Sequence, residues 1–253
     1  MKFEPGMRRA LAFVLGCSLA TLAGAHAADK KDKAKPAPNP IVDSGSFGVF
    51  VKGQRVATET FHIEQQNGVS IIKSQLKETA GTDPASQKSE LELGAGGEIQ
   101  KYEWSQSAGG SLIVFPDNDF LKEKITPPGQ AKAAEQAYLL PATTPVLDNN
   151  FFIHRELLAW RYLAVAPCKN ENGVRQCQSA DFGALVPQDR TSMSVRMELA
   201  GKEKITIHGA ERELLRLNLS GEDMLWQLWV DDNDHFKLMR VAIPADNTVV
   251  DRD

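Results

Sequence analysis

The residues whose types and spacing could do chemistry begin with an acidic cluster at positions 231–234 (DDND). Closely spaced carboxylate oxygens are the ligands that Ca²⁺ prefers in proteins. An EF-hand loop counted from Asp231, however, would place Phe236 where the loop requires glycine and Ala242 where it requires a bidentate glutamate. We therefore interpret the cluster as a hairpin turn and predict no metal site there.

Four histidines outside the N-terminal segment stand without a nearby histidine or cysteine at metal-ligand spacing: His62, His154, His208 and His235. Zinc sites draw on several His, Cys or carboxylate ligands, so these isolated side chains do not indicate one. His62 and His208 fall on the polar side of predicted strands. We predict that all four histidines lie at the surface or at the rim of the fold.

The sequence contains no Gly-x-Ser-x-Gly nucleophile elbow, no His-Glu-x-x-His motif and no phosphate-binding glycine loop. A catalytic triad can be scattered along a chain, so the absence of local motifs lowers the expectation of an enzyme without excluding one. We expect a protein that is not an enzyme, with no catalytic residues and no cofactor.

Two cysteines, Cys168 and Cys177, flank a polar loop in the second half of the chain, and the third, Cys17, lies in an apolar N-terminal segment. If that segment is removed on export, an even number of cysteines remains in an oxidising compartment. This arrangement predicts a local disulfide between Cys168 and Cys177, because their spacing supplies too few ligands for a metal ion.

The N-terminal segment has the pattern of a secretory signal peptide. Basic residues precede an apolar run at 10–22, and residues 25–27 (AHA) form a small-x-small cleavage site. We expect residues 1–27 to be removed, which would leave the protein periplasmic or secreted. The alternative is a lipoprotein acylated at Cys17, because residues 14–17 (VLGC) resemble a lipobox.

Composition divides the rest of the chain into a tether and a domain. Residues 28–45 are rich in lysine, proline and alanine and offer little to bury, which predicts a flexible tether. Residues 46–253 show no repeat and no break in composition, so we predict a single domain. The chain is 42% hydrophobic, with a formal net charge of -4 and no basic patch, and we expect no nucleic-acid partner.

One segment, residues 148–164, stands out as a helix because it is apolar nearly all round at 100° per residue. Asp148 is a reasonable N-cap. Within the predicted helix, the titratable residues beyond that cap are His154, Arg155, Glu156 and Arg161. So wide an apolar surface is typical of a helix enclosed by its surroundings, and we predict that Trp160 is buried against a curved sheet.

Most other segments are patterned as strands separated by short turns. Asn67-Gly68 is a strong hairpin signal, and residues 193–199 alternate strictly between apolar and polar side chains. The sequence therefore predicts a mainly β fold, in which a strongly curved antiparallel meander sheet, a half-barrel, wraps around one apolar α-helix. Residues 127–147, with four prolines, give no clear prediction of structure.

The final strands, with Leu228-Trp229-Val230-Asp231 followed by Leu238 and Val241, resemble those of uncharacterised bacterial envelope proteins related to the lipoprotein carriers LolA and LolB. The resemblance is one of pattern and covers the C-terminal strands best. It implies a curved antiparallel sheet around one or more helices, and in the carriers the space between them holds lipid acyl chains. The group implies no shared catalytic residues.

Two functional hypotheses follow. The first is an exported binding module of the cell envelope that shelters an apolar ligand, such as a lipid acyl chain, between the concave sheet and the helix. Its predicted ligand-binding residues are apolar positions of the helix and of the C-terminal strands: Ile153, Leu157, Trp160, Met197, Ile207, Leu217 and Trp226. The second is a structural or adaptor protein with a filled core, whose partner would be another envelope protein.

Overall fold

The structure is a computed structural model that describes residues 41–80, 84–171 and 174–253. The predicted signal peptide and the tether up to residue 40 lie outside these ranges. In the described part of the chain, one α-helix, α1 (Ile153–Val165), accompanies a large antiparallel sheet of 14 strands that is not closed. The predicted fold class, a mainly β protein with a curved antiparallel sheet around one helix, is confirmed.

The strands follow one another along the chain, and α1 lies between β8 and β9. They are β1 (Ile41–Val51), β2 (Gln54–Gln66), β3 (Val69–Glu78), β4 (Ser86–Leu93), β5 (Ile99–Gln106), β6 (Ser111–Asp117), β7 (Phe120–Thr126), β8 (Ala134–Tyr138), β9 (Cys168–Glu171), β10 (Val174–Cys177), β11 (Ala180–Val186), β12 (Thr191–Ile207), β13 (Ala210–Ser220), β14 (Leu225–Asp231), β15 (Lys237–Ile243) and β16 (Thr248–Arg252). Short 3-10 helices span Pro187–Asp189 and Pro244–Asp246.

The main sheet consists of two meanders that meet in its middle. One meander contains β1 to β8 and the other contains β11 to β16, and antiparallel pairing of β1 with β16 joins them. The two free edges are therefore β8 and β11. Residues 145–147 lie beside β11, where Val146 makes a parallel bridge to Leu185 and the Leu147 amide donates to the Leu185 carbonyl oxygen. These residues cover an edge that would otherwise leave backbone groups unpaired.

The first strand begins earlier than the sequence pattern predicts. Residues 41–45, which we assigned to the tether, belong to β1. Asp43 is buried there and accepts hydrogen bonds of 2.7 and 2.8 Å from the Arg252 guanidinium. The run Asp43-Ser44-Gly45-Ser46 looks like a loop by composition, but pairing with β2 and this ion pair hold it in the sheet.

The helix is shorter than predicted, and its N-cap is Phe152 rather than Asp148. The Asp148 side chain instead accepts the amide of Asn150 at 2.7 Å, which turns the chain before the helix begins. The amides of Phe152 and Ile153 donate to the Glu59 carboxylate of β2 at 2.6 and 3.3 Å. A distant strand thus supplies the acceptor that a local cap provides in most helices.

Helix and sheet share one core. A single cluster of buried side chains includes Phe47 of β1, Leu217 of β13 and Ile153 of α1. Trp160, which we expected to be buried, is only partly buried, and its indole nitrogen donates to the carbonyl oxygen of Phe236 at 3.0 Å. The packing against the sheet is as predicted, but this residue lies nearer the surface.

A β-bulge reverses the pattern in the longest strand. The register of β12 against β13 shifts between Leu199 and Gly201, so one extra residue enters β12. Such an insertion moves every later side chain to the other face. Ile207 accordingly lies in a separate cluster with Leu214 and Trp229, apart from Met197 in the main core. The prediction that Ile207 shares a face with Met197 is therefore wrong.

The cysteines lie in a small hairpin outside the main sheet. Strands β9 and β10 pair with Cys168 opposite Cys177, and the two sulfur atoms form a disulfide. This is the pairing that the cysteine count predicts.

Candidate functional site

A cavity of about 590 Å³ lies between α1 and the adjoining ends of β2, β3 and β4. Its size falls in the range of small-molecule sites, roughly 300 to 1,000 Å³. Most of the side chains around it are apolar, and the wall includes Ile63, Leu91, Leu93, Val146, Leu157 and Leu158. An apolar molecule placed there would exchange water for hydrocarbon contacts, which is the main driving force for binding of this kind.

One face of the helix forms the long wall of the cavity. Residues 154, 157, 158, 161 and 164–165 line it at spacings of three and four, as side chains on one helix face do. His154 is 1% exposed, whereas Val165 is 59% exposed. From the first of these to the second the helix rises roughly 16 Å, at about 1.5 Å per residue. The cavity is therefore closed at the N-terminal end of α1 and open at its C-terminal end.

His154 lies at the closed end, fully buried, so the prediction that it lies at the surface is wrong. Its ring packs edge-on against Tyr102, with centroids 5.7 Å apart, and lies 6.2 Å from the Phe151 ring. Neither imidazole nitrogen has a hydrogen-bond partner among the described residues. Burial, together with the nearby Arg155 charge, lowers the pKa of His154 to about 3, so the ring is neutral near pH 7.

Arg155, the next residue, is also buried and faces a different environment. Its guanidinium donates to the carbonyl oxygens of Asp148 and Phe151 and lies 4.4 Å from the centroid of the Trp226 ring. Burial lowers the pKa of Arg155 to about 10, which still leaves it a cation. The Asp148 carboxylate accepts the hydroxyl of Tyr102, and burial raises the pKa of this aspartate. These contacts fix the segment before the helix against β5.

Glu59 anchors the start of the helix from the opposite side. Besides the amides of Phe152 and Ile153, it accepts the hydroxyl of Ser74 at 2.7 Å. These donors favour the charged carboxylate, but burial outweighs them and raises the pKa of Glu59 to about 7. Ala57, Glu59, Phe61 and Ile63 alternate along one face of β2, and all four are buried.

Glu156 completes a run of three buried titratable residues. It accepts the backbone amide of Leu238 at 2.7 Å and an Arg252 nitrogen at 3.3 Å, and Arg252 also pairs with Asp43. Burial and the neighbouring Asp43 carboxylate raise the pKa of Glu156 well above its usual range. We call the buried side chains of His154, Arg155 and Glu156, together with Glu59, the polar ring. It surrounds the N-terminal turn of the helix, and strands from both meanders hold it.

The predicted ligand-binding residues separate into three groups. Leu157 and Trp160 line the cavity. Ile153, Met197 and Leu217 are fully buried in the core, and Trp226 is partly buried beside Arg155. Ile207 lies on the opposite face of the sheet. These placements put the cavity beside β2 to β4 and not beside β12 to β14.

Sequence reasoning missed Ile63, Leu91 and His154 as cavity residues. The alternation of Phe61 and Ile63 identifies the buried face of β2, yet it does not say which side of the helix that strand meets. A signal for the polar ring was present, since Glu59 occupies an apolar position in the same alternation. A carboxylate at a core position requires partners, and it marks a place where the core is not simply hydrocarbon.

A second concavity, of about 880 Å³, lies on β2 to β7 and is more open. Many of its side chains are charged, including Lys73, Lys88, Glu90, Glu103 and Lys124. The Lys73 nitrogen lies 3.8 Å from a Glu90 oxygen, so part of this charge is satisfied within the surface itself. This concavity is more open than the cavity beside α1, and we regard the smaller, more enclosed cavity as the better candidate site.

The other predicted surface groups lie where the sequence places them. Residues 232–236 form the turn between β14 and β15, which confirms the hairpin interpretation of the acidic cluster. His208 and His235 are exposed, and His62 is partly exposed beside Glu64. Among residues 41–80, 84–171 and 174–253, no group of three or more His, Cys, Asp or Glu side chains is arranged to hold a metal ion. No helix in those ranges is both long and apolar enough to cross a membrane.

Comparison with known proteins shows the fold and no family. No family model and no curated protein matches the sequence. A crystal structure of a β-barrel-like protein of a domain of unknown function, DUF1849, from Brucella abortus is similar, with a TM-score of 0.51 and 5% sequence identity. The match covers 83% of this chain and 94% of that chain. It shows a β-barrel-like fold that also occurs in bacteria, whereas the relation to LolA and LolB stays a prediction.

Proposed function

We propose that this protein is an exported binding module that shelters an apolar ligand, such as a lipid acyl chain, between α1 and strands β2 to β4. The observation that carries the proposal is the cavity of about 590 Å³, whose lining is mostly apolar and whose helix wall changes from buried His154 to exposed Val165. A cavity that follows a helix face suits a chain-like ligand, which can enter at the exposed end and lie along the helix.

The pattern of the N-terminal segment and the disulfide support a location outside the cytoplasm. Disulfides persist in oxidising compartments such as the periplasm, and Cys168 and Cys177 are joined. The proposal includes a function in binding without catalysis and without a resident cofactor. The resemblance to lipoprotein carriers agrees with a lipid ligand in a curved-sheet protein.

A second candidate function is that of a structural or adaptor protein of the envelope. The observation in its favour is the continuous core formed by both meanders and the helix, which includes Met197 and Leu217 where we expected a ligand. Natural cores are closely packed, and the buried side chains of this one form a single main cluster across both meanders and the helix. A filled core requires no ligand for stability. Whether the cavity beside β2 to β4 binds a ligand therefore decides between the two candidate functions.

Titration with a fluorescent fatty-acid analogue tests the proposal. Wild type should bind saturably, and Leu157→Trp should weaken binding about tenfold or more, because added volume in a fitted site costs about 1 to 3 kcal/mol. Leu225→Trp is the matched control, since Leu225 is 52% exposed and does not line the cavity. It should bind as wild type does.

Solvent extraction of the purified protein followed by mass spectrometry gives an independent result. A lipid recovered from wild type and lost in Leu157→Trp supports the binding module. If wild type shows no saturable binding and its extract contains no lipid, the binding proposal fails and the adaptor function replaces it.

A further inference from the structure

Arg161 lines the cavity about two helical turns from His154, toward the exposed end of α1. Its side chain is half-buried. Burial lowers the pKa of its guanidinium, and no carboxylate in the described part of the chain lies close enough to raise it again. An arginine side chain remains a cation nonetheless. The cavity wall therefore contains a positive charge without a counter-charge, which is unfavourable away from bulk water.

The free hydrogen-bond donors of Arg161 lie along one edge of its guanidinium. The Nη1 atom donates to the carbonyl oxygen of Thr143, and the guanidinium carbon lies 5.9 Å from the centroid of the Phe182 ring. The Nε and Nη2 atoms have no hydrogen-bond partner among the described residues, and both retain accessible surface. The contacts with Thr143 and Phe182 thus hold the group in place while the Nε–Nη2 edge stays available to a ligand.

The same edge of the guanidinium binds carboxylates elsewhere in this chain. The Nε and Nη2 atoms of Arg196 donate to the two carboxylate oxygens of Asp181 at 2.8 and 2.9 Å. Those of Arg240 donate to Asp251 at 2.5 and 2.8 Å. Two parallel bonds of this kind match the planar carboxylate and are stronger than bonds between neutral groups. Arg161 has the same pair of donors without a carboxylate on it.

The buried end of the cavity offers a ligand no such donors. The ring nitrogens of His154 and the unpaired Nε and Nη2 atoms of Arg155 have almost no accessible surface, so a ligand in the cavity does not reach them. Arg155 does not line the cavity, and the nearby carboxylates of Asp148 and Glu59 favour its charge inside the polar ring. The inner end of a ligand therefore gains most by being apolar.

The lining between the two ends agrees with this division. Leu157 and Leu158 form the helix wall between His154 and Arg161. No aspartate, glutamate or lysine of the described ranges lines the cavity, and the His154 ring is neutral near pH 7. Within those ranges, Arg161 is therefore the one charged side chain of the lining.

We infer that the ligand is a single-chain amphiphile with a carboxylate head, which pairs with the Nε–Nη2 edge of Arg161 while its tail runs inward along Leu157 and Leu158. This inference rests on the proposed function and names the class of ligand that the cavity selects. One negative charge balances the one cation of the lining. An uncharged head would leave that cation without a counter-charge, and a doubly charged head would bury a charge that no second cation balances.

A matched pair of ligands measures the contribution of the charged head. Decanoate and 1-decanol have similar tails and differ in the charge of the head group. Displacement of Nile red, an uncharged dye, gives the affinity of each ligand for wild type and for Arg161→Met. An uncharged dye is required because a charged probe would itself depend on Arg161. The ratio of the decanoate affinity to the 1-decanol affinity cancels changes in cavity shape that affect both ligands alike.

This ratio should fall at least about tenfold in Arg161→Met, because the variant loses charge-assisted hydrogen bonds to decanoate and none to the tail. Arg161→Lys should retain part of the ratio, since lysine keeps the charge but not the paired donors. Arg212→Met is the matched control, because Arg212 is exposed and does not line the cavity, and its replacement changes the net charge equally. It should leave the ratio unchanged.

The outcomes separate this inference from the proposed function. A folded Arg161→Met variant with the wild-type ratio overturns the inference and leaves the binding module intact, whether neither affinity changes or both fall equally. Thermal melts show whether the variant folds, and Arg161→Gln provides the same comparison if it does not. If wild type binds neither decanoate nor 1-decanol, the proposed function itself fails and the inference fails with it.

Discussion

Replacing Glu59 with glutamine isolates the titration of the carboxyl group that receives the first amides of α1. Burial raises the pKa of this group from 4.5 to about 7 in the folded protein. The unfolded chain therefore releases the proton near pH 4.5, while the folded protein holds it until about pH 7. Between these values the folded state binds one proton more than the unfolded state, so stability falls as pH rises.

The size of the effect follows from the shift. A pKa difference of about 2.5 units corresponds to roughly 3 kcal/mol, at about 1.4 kcal/mol per unit. Wild type should lose this amount relative to Glu59→Gln between about pH 4.5 and about pH 7.5, because glutamine does not titrate. Other buried acids, such as Glu156, titrate in both proteins and cancel in the difference.

Urea unfolding of both proteins across this pH range measures the difference in unfolding free energy. A difference that stays constant with pH would refute the reasoning, because Glu59 would then have the same pKa in the folded and unfolded states. A difference that grows in favour of wild type as pH rises would mean that the donors Ser74, Phe152 and Ile153 outweigh burial. Either result would show that burial raises the pKa of Glu59 less, relative to its hydrogen bonds, than the structure indicates.

Three further predictions concern the helix, the disulfide and the N-terminus. Trp160→Ala should lower the free energy of unfolding by about 3 kcal/mol in denaturant melts, because packing and a hydrogen bond are lost. Arg161→Ala should lower it by about 1 kcal/mol. Equal and small losses would mean that the helix does not pack against the sheet. Reducing the disulfide between Cys168 and Cys177 should lower the free energy of unfolding by about 3 kcal/mol and make two thiols available for alkylation. Thiols that react without a reductant would contradict the disulfide. N-terminal sequencing of the exported protein should begin at Ala28, and an acylated N-terminal cysteine would instead indicate a lipoprotein.

The sequence predicts local patterns well because they depend on neighbouring residues. Alternation identifies most strands, and the all-round apolar character of residues 148–164 identifies the helix and its enclosure. Strand β8 escaped prediction, since it is only five residues long, Ala134–Tyr138, and lies in a proline-rich stretch. The bulge after Leu199 also escaped, because one inserted residue leaves the composition of the strand unchanged while it reverses the face.

The candidate site was harder to predict because its parts are far apart in the sequence. Glu59 and Phe152 are 93 positions apart, and no sequence feature near either residue indicates that the two are in contact. The same holds for His154, which polarity alone places at the surface. A polar residue on an enclosed helix is buried when strands that are distant in the sequence pack around it. A single sequence does not indicate which strands those are.

The pairing of β1 with β16 has a consequence for how this molecule assembles. Among the strands of the main sheet, β1 is synthesised first and β16 last. The hydrogen bonds of β1 are incomplete until β16 is present, because the two strands pair in the middle of the sheet. Arg252 of β16 also reaches Asp43 and Glu156, so it links three parts of the chain. Contacts between such distant segments form slowly. A chain that is still being synthesised would therefore expose two half-sheets with unpaired strand edges. Its tendency to aggregate would depend on how quickly β16 is completed and pairs with β1.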